Sequence, residues 1–107
     1  MRRLINLSVL TAATVLGTWI APPPSHAASQ YHWNRVARCE STNRWHVNTG
    51  NGYYGGLQIS RSTWRAYNGG HFARLPHLAS KTEQITVAGR ILRHQGRHAW
   101  PHCGRYL

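Results

Sequence analysis

The sequence contains no aspartate, and its acidic side chains number only two, Glu40 and Glu83, against thirteen Lys and Arg in 107 residues. Mechanisms built on paired carboxylates therefore have almost nothing to draw on. Cysteine is nearly as scarce, with Cys39 and Cys103 alone. An uninterrupted hydrophobic run is also missing. The most apolar stretch, Leu4 to Ile20, is broken by Asn6, Ser8, Thr11, Thr14 and Gly17 and meets Pro22, Pro23 and Pro24 at once. A spanning helix wants about 20 predominantly apolar residues, so a stable membrane anchor is not expected here. No tandem repeat, long linker or second domain is legible.

What the first 27 residues do carry is the pattern of an export signal: Arg2 and Arg3, an apolar centre, and a small-residue end with cleavage placed after Ala27. That leaves Ala28 to Leu107, 80 residues, as one small domain. A chain of this size is only marginally stabilised by a single core and gains from a staple. In an oxidising compartment an isolated pair such as Cys39 and Cys103 favours a disulfide over a metal site, with a catalytic thiol at Cys39 as the sharper alternative.

Removing Arg2 and Arg3 leaves eleven cationic residues against Glu40 and Glu83, a formal charge of +9. Such a field suits a polyanionic partner, namely nucleic acid, an anionic membrane, or a cell wall bearing acidic polymers. Export turns the choice from nucleic acid towards the envelope.

Several elements are readable. Trp33, Val36 and Ala37 recur at helical spacing between Tyr31 and Cys39, with Ser29 as N-cap, and one further turn brings Glu40 to the edge of that apolar face. The NTGNG turn and the YYGGLQI segment predict a short, irregular hairpin whose glycines let another chain approach the backbone. SRSTWRAY predicts a short helix capped by Ser60 with Trp64 inward, and GGHFARLP a connecting loop. SKTE, with Ser80 as N-cap and Glu83 three residues on, opens a helix from Lys81 to about Gln95 with a buried stripe of Ile85, Ala88 and Leu92, with Ile91 nearby, ended by Gly96. Glu83 thus has a capping job, which leaves Glu40 as the acid without one. It is a candidate for single-carboxylate general acid chemistry, provided desolvation holds its proton near neutral pH, or else a surface partner of Arg38 or Arg44. His94, His98 and His102 recur every four residues, but Gly96 and Pro101 interrupt them and no acid joins them, so no metal is expected.

WNRVARCES, WHVNTGNGYYGGLQIS, STWRAYNGG, EQITVAGRILRHQG and AWPHCG, in that order and spacing, resemble the catalytic domain of the resuscitation-promoting factors, secreted actinobacterial cell-wall enzymes. The resemblance implies an α+β, mainly helical fold, similar to lysozyme and to lytic transglycosylases, with a short irregular hairpin and one disulfide between Cys39 and Cys103. It implies a catalytic Glu40 that cleaves the β-1,4 bond between N-acetylmuramic acid and N-acetylglucosamine in peptidoglycan as general acid and base. GGLQ is similar to the GLMQ segment of lytic transglycosylases, so Gln58 is expected to line the sugar cleft. Tyr53, Tyr54, Thr63 and Trp64 are further expected substrate contacts, while Trp45 and Trp100 suit the core or the cleft wall. No cofactor is called for, a monomer is expected, and cooperation with a peptidoglycan endopeptidase is implied. One departure matters. Where the family commonly reads CESGGNW, this chain reads CESTNRW, replacing two glycines with Thr42 and Asn43, which matters if the backbone there needs positive φ, and placing Arg44 before Trp45, where it is expected to lower the pKa of a nearby Glu40. Weakened activity is one expected result; a cationic wall-binding or antimicrobial protein without activity is the competing reading.

Overall fold

The computed structural model describes residues 28–107; the expected export signal, 1–27, lies outside the described residues. Among the described residues, three α-helices and a two-stranded ribbon surround a tryptophan-rich core. Helix α1 spans Gln30–Ser41, strands β1 and β2 are Tyr53–Tyr54 and Ile59–Ser60, α2 is Arg61–Ala66 and α3 is Lys81–Gln95. The fold is thus mainly helical with one small antiparallel sheet, pairing Tyr53 with Ser60 and Tyr54 with Ile59.

Local signals account for where the helices begin. Ser29 caps α1, its hydroxyl accepting from the His32 N–H while His32 Nδ1 accepts from the Ser29 N–H. Ser60 caps α2. At α3 the expected box forms, with the Ser80 N–H donating to Glu83 Oε1 at 2.9 Å and the Glu83 N–H to Ser80 Oγ at 3.1 Å. Gly96, at φ 78°, ends the helix. Helix α1 runs beyond the expected Tyr31 to Cys39 at both ends, and the GGHFARLP connection holds a 3₁₀ turn at Gly69–His71, followed by another at Pro76–Leu78.

Trp33, Val36 and Ala37 of α1, Leu57 and Ile59 of the ribbon, Trp64 of α2, Val87, Ala88 and Ile91 of α3, and Trp100 and Cys103 near the C-terminus form one buried cluster. Trp33 and Trp100 meet edge to face at 5.1 Å between centroids. Two of the deeply placed indoles also find an acceptor: Trp100 Nε1–H donates to the Leu57 carbonyl at 2.9 Å and Trp64 Nε1–H to that of Ala73 at 2.7 Å. The buried stripe of α3 is Gln84, Val87, Ala88 and Ile91, whereas Ile85 and Leu92 are only half-buried. The expected stripe is therefore rotated on the helix, because a glutamine, scored as polar by any periodicity argument, occupies the inward position.

Cys39 and Cys103 are bonded, closing a loop across 64 positions, and no cysteine is free. The catalytic-thiol alternative falls with that bond.

Candidate active site

Glu40 sits in the last turn of α1, four residues after Val36 and seven after Trp33, so it continues their inward face at its rim. There it is half-buried, and burial raises its carboxyl above the ordinary glutamate range. The negative end of the helix dipole acts in the same direction. Arg44 does not reverse this. Its Nε–H donates to the Ser41 carbonyl at 2.9 Å, so the guanidinium is spent closing the helix end. The lowering of the Glu40 pKa expected from Arg44 is not what the structure gives, since desolvation decides the direction.

The chain leaves α1 through two consecutive left-handed residues, Thr42 at φ 59° and Asn43 at φ 60°. Thr42 N–H donates to the Arg38 carbonyl and Asn43 N–H to that of Ala37, which satisfies groups that a helix end otherwise leaves open. The positions where CESTNRW lacks glycine are therefore those where the backbone asks for it. Between them and Glu40 lies Ser41, a buried serine whose Oγ is 2.9 Å from the Gly56 carbonyl and 3.1 Å from that of Ala37, and which accepts from the Arg44 N–H.

Gly56 belongs to the ribbon segment Gly55 to Gln58, held from beneath by Gln84. Gln84 is fully buried; its Oε1 accepts from the Gly56 N–H at 3.0 Å, and its Nε2–H₂ donates to the carbonyls of Trp45 (2.8 Å) and Ala79 (3.1 Å). A Cβ on Gly55, which also has φ 78°, would lie 2.4 Å from Gln84 Oε1, and one on Gly56 would lie 2.4 Å from the Trp45 ring. What approaches the backbone at these two glycines is thus the protein's own Gln84 and Trp45, not another chain. Trp45 is half-buried on Gly56, with the Lys81 ammonium 5.1 Å over its ring.

Gln58 adopts φ 52°, and its Nε2 donates to the Gly55 carbonyl at 3.0 Å while its Oε1 accepts from Asn51 at 3.2 Å. So braced, it lines a shallow groove with Tyr53, Thr63, Gln95 and Trp100. The groove's neighbour, sharing Thr63 and Gln95, extends towards Tyr67 and His94. Three of the expected contact residues, Tyr53, Gln58 and Thr63, therefore share one surface. Tyr54 is elsewhere, stacked on His77 at 5.4 Å. Trp64 is wholly buried with its N–H committed to Ala73, so its place is in the core and not on the groove. Gln95 went unnoticed in the sequence; its only signal was its position at the end of α3, just before the helix-stopping Gly96.

Among the described residues no three His, Cys, Asp or Glu side chains converge. His94 is engaged by the Tyr67 hydroxyl at 2.6 Å, and His102 packs against Arg105.

The chain also matches known proteins over most of its length. The model of the transglycosylase-like domain family matches residues 27–103. Resuscitation-promoting factor RpfA of Mycobacterium tuberculosis is 57% identical over 107 aligned residues, covering 95% of this chain and 26% of that protein. Resuscitation-promoting factor Rpf1 of Corynebacterium glutamicum is 46% identical over 102 residues, covering 95% and 53%. Resuscitation-promoting factor Rpf of Micrococcus luteus is 42% identical over 104 residues, covering 91% and 45%. The chain thus spans about a quarter of the first relative and about half of the other two. A family match over most of its length, on the fold just described, means that this chain belongs to the transglycosylase-like domain family represented by the resuscitation-promoting factors.

Proposed function

We propose that this chain is an exported peptidoglycan-cleaving domain that breaks the β-1,4 bond between N-acetylmuramic acid and N-acetylglucosamine, with Glu40 as its one acid and base. The observation that carries the reading is the placement of Glu40, a desolvated carboxyl on the inward edge of α1 with its pKa raised. Glu83, the other acid, is occupied in the α3 cap. A lone acid that holds its proton more tightly than an ordinary glutamate suits donation to a glycosidic oxygen, and the N-acetyl group of the muramoyl sugar supplies the internal stabilisation that a second carboxylate would otherwise give. Once ionised, Glu40 takes a proton from the sugar's own hydroxyl, giving an anhydro product, or from water, giving a reducing end. Tyr53, Gln58 and Thr63 line the groove that would hold the glycan. Residues 1–27 serve as the export signal, and a peptidoglycan endopeptidase is the natural co-worker on a cross-linked wall.

The test is mass spectrometry of soluble fragments released from purified peptidoglycan by the oxidised protein, with Glu40→Gln alongside. Anhydromuramoyl ends made by the wild type alone would establish a lytic transglycosylase, and reducing muramoyl ends a hydrolase. A folded protein that binds wall but releases nothing would overturn the enzymatic reading in favour of a cationic wall-binding protein.

A further inference from the structure

Helix α1 has a second face. Tyr31, Arg35 and Arg38 follow one another at i, i+4 and i+7, on the side of the helix opposite Trp33, Val36 and Glu40. Together with Cys39 and with Tyr106 from the C-terminal 3₁₀ turn Cys103–Tyr106, they line an open groove of about 380 Å³. The Arg35 guanidinium lies over the Tyr106 ring at 4.5 Å and 5.8 Å from the centroid of Tyr31, and the Arg105 guanidinium lies over the same Tyr106 ring at 4.9 Å.

Three features set this groove apart from a merely solvated basic surface. Its cations are all arginines, whose planar forks match an anion's paired oxygens. One of them, Arg35, is stacked on Tyr106, whose ring also carries Arg105 from beside the groove, and this restricts the Arg35 rotamers before any ligand arrives and lowers the entropy lost on binding. Finally, neither acidic side chain balances them: Glu83 caps α3, and Glu40 faces the other way across α1. Like charges three positions apart on a helix, such as Arg35 and Arg38, repel each other when nothing offsets them. An external anion does so.

The geometry points to this groove as a docking site for a linear phosphodiester-linked polyanion of the cell envelope. From Tyr31 to Arg38 the helix rises roughly 10 Å, room for more than a single phosphate. A phosphodiester keeps its charge throughout the working pH range and offers two non-bridging oxygens to each guanidinium. Single-stranded nucleic acid is disfavoured because arginines already cover the Tyr106 ring on which a base would stack. Because the groove is behind α1, a polymer held there leaves the Glu40 side open. The choice of an envelope polymer rests on the wall-directed reading above, but the test contains no cleavage step, so the two fail independently.

Binding of the oxidised chain carrying Glu40→Gln to poly(glycerol phosphate) is measured by titration calorimetry at fixed salt. Arg35→Gln/Arg38→Gln is compared with Arg74→Gln/Arg93→Gln, which removes the same charge elsewhere. The expected result is a loss of at least about tenfold for the first pair and under about twofold for the second, with thermal midpoints matched. Arg35→Lys/Arg38→Lys keeps the charge and loses the fork, and is expected to weaken binding by an intermediate factor; it carries the comparison if the glutamine pair fails to fold. Equal losses for the two glutamine pairs, equal binding to a polyuronate of the same charge density, tighter binding to an oligothymidylate, or no binding at all would overturn the assignment.

Discussion

The buried hydroxyl of Ser41 lies 2.9 Å from the Gly56 carbonyl, so the residue next to Glu40 is tied directly to the glycine ribbon. The acid and the ribbon are thereby positioned by one contact, and Gln84 fixes the same ribbon residue from the opposite side through the Gly56 N–H. Replacing Ser41 with Ala should remove about 1–2 kcal/mol of stability, because a buried carbonyl loses its donor. It should also cut the rate of glycan cleavage more than it changes apparent substrate affinity. Urea unfolding and initial rates of fragment release check both.

Glu40→Gln should abolish cleavage and yet melt higher than the wild type near neutral pH. Burial raises the native pKa of Glu40 above its unfolded value, so between those two values the native state binds more protons, and stability falls as pH rises through the window. The wild type therefore carries its penalty above the native pKa and none below the unfolded one. The difference between the two melting curves should vanish at about pH 3, below the ordinary glutamate range.

Thr42→Gly should stabilise the protein. A β-branched residue at φ 59° is strained, and relieving it is worth about 1–2 kcal/mol before the extra freedom of glycine in the unfolded chain takes back about half. Asn43→Gly, at φ 60°, should gain less because asparagine tolerates the left-handed region. Chemical denaturation of the two single variants orders them.

Gln84→Leu should be among the most damaging single changes, at about 3 kcal/mol or more, since it strands the Gly56 N–H and the carbonyls of Trp45 and Ala79 together. Hydrogen exchange at Gly56 should report the loosened ribbon.

Replacing Cys39 and Cys103 with Ala should cost about 4 kcal/mol, the loop-closure entropy of a cross-link spanning 64 positions. Thermal unfolding of the oxidised and cysteine-free chains measures it.

Much of this frame was legible from local chemistry. Ser29, Ser60 and the Ser80–Glu83 box announce the three helix starts, and Gly96 one of the ends, because a cap is a contact between near neighbours. Glu40 stood out for lack of any other job. What was not legible depends on distant partners. Gln84 reads as a surface residue until the ribbon, 28 positions earlier, needs its amide. Gln58 gives no hint of φ 52°, since only glycine advertises such a conformation. The inward turn expected of Trp64 from its helix is what the structure has, and that burial excludes the sugar contact also expected of it, while Tyr54 was diverted to His77 by a loop whose path no periodicity encodes.

The bond between Cys39 and Cys103 also decides how the domain responds to being pulled. In a chain anchored at both ends, tension entering α1 at Gln30 reaches Cys39, crosses the sulfur bridge, and leaves through the last few residues. Everything from Glu40 to His102 lies off that route. Force between the chain ends therefore passes through two short segments and one sulfur bridge, while the acid, the glycine ribbon and the groove hang from that line without carrying it.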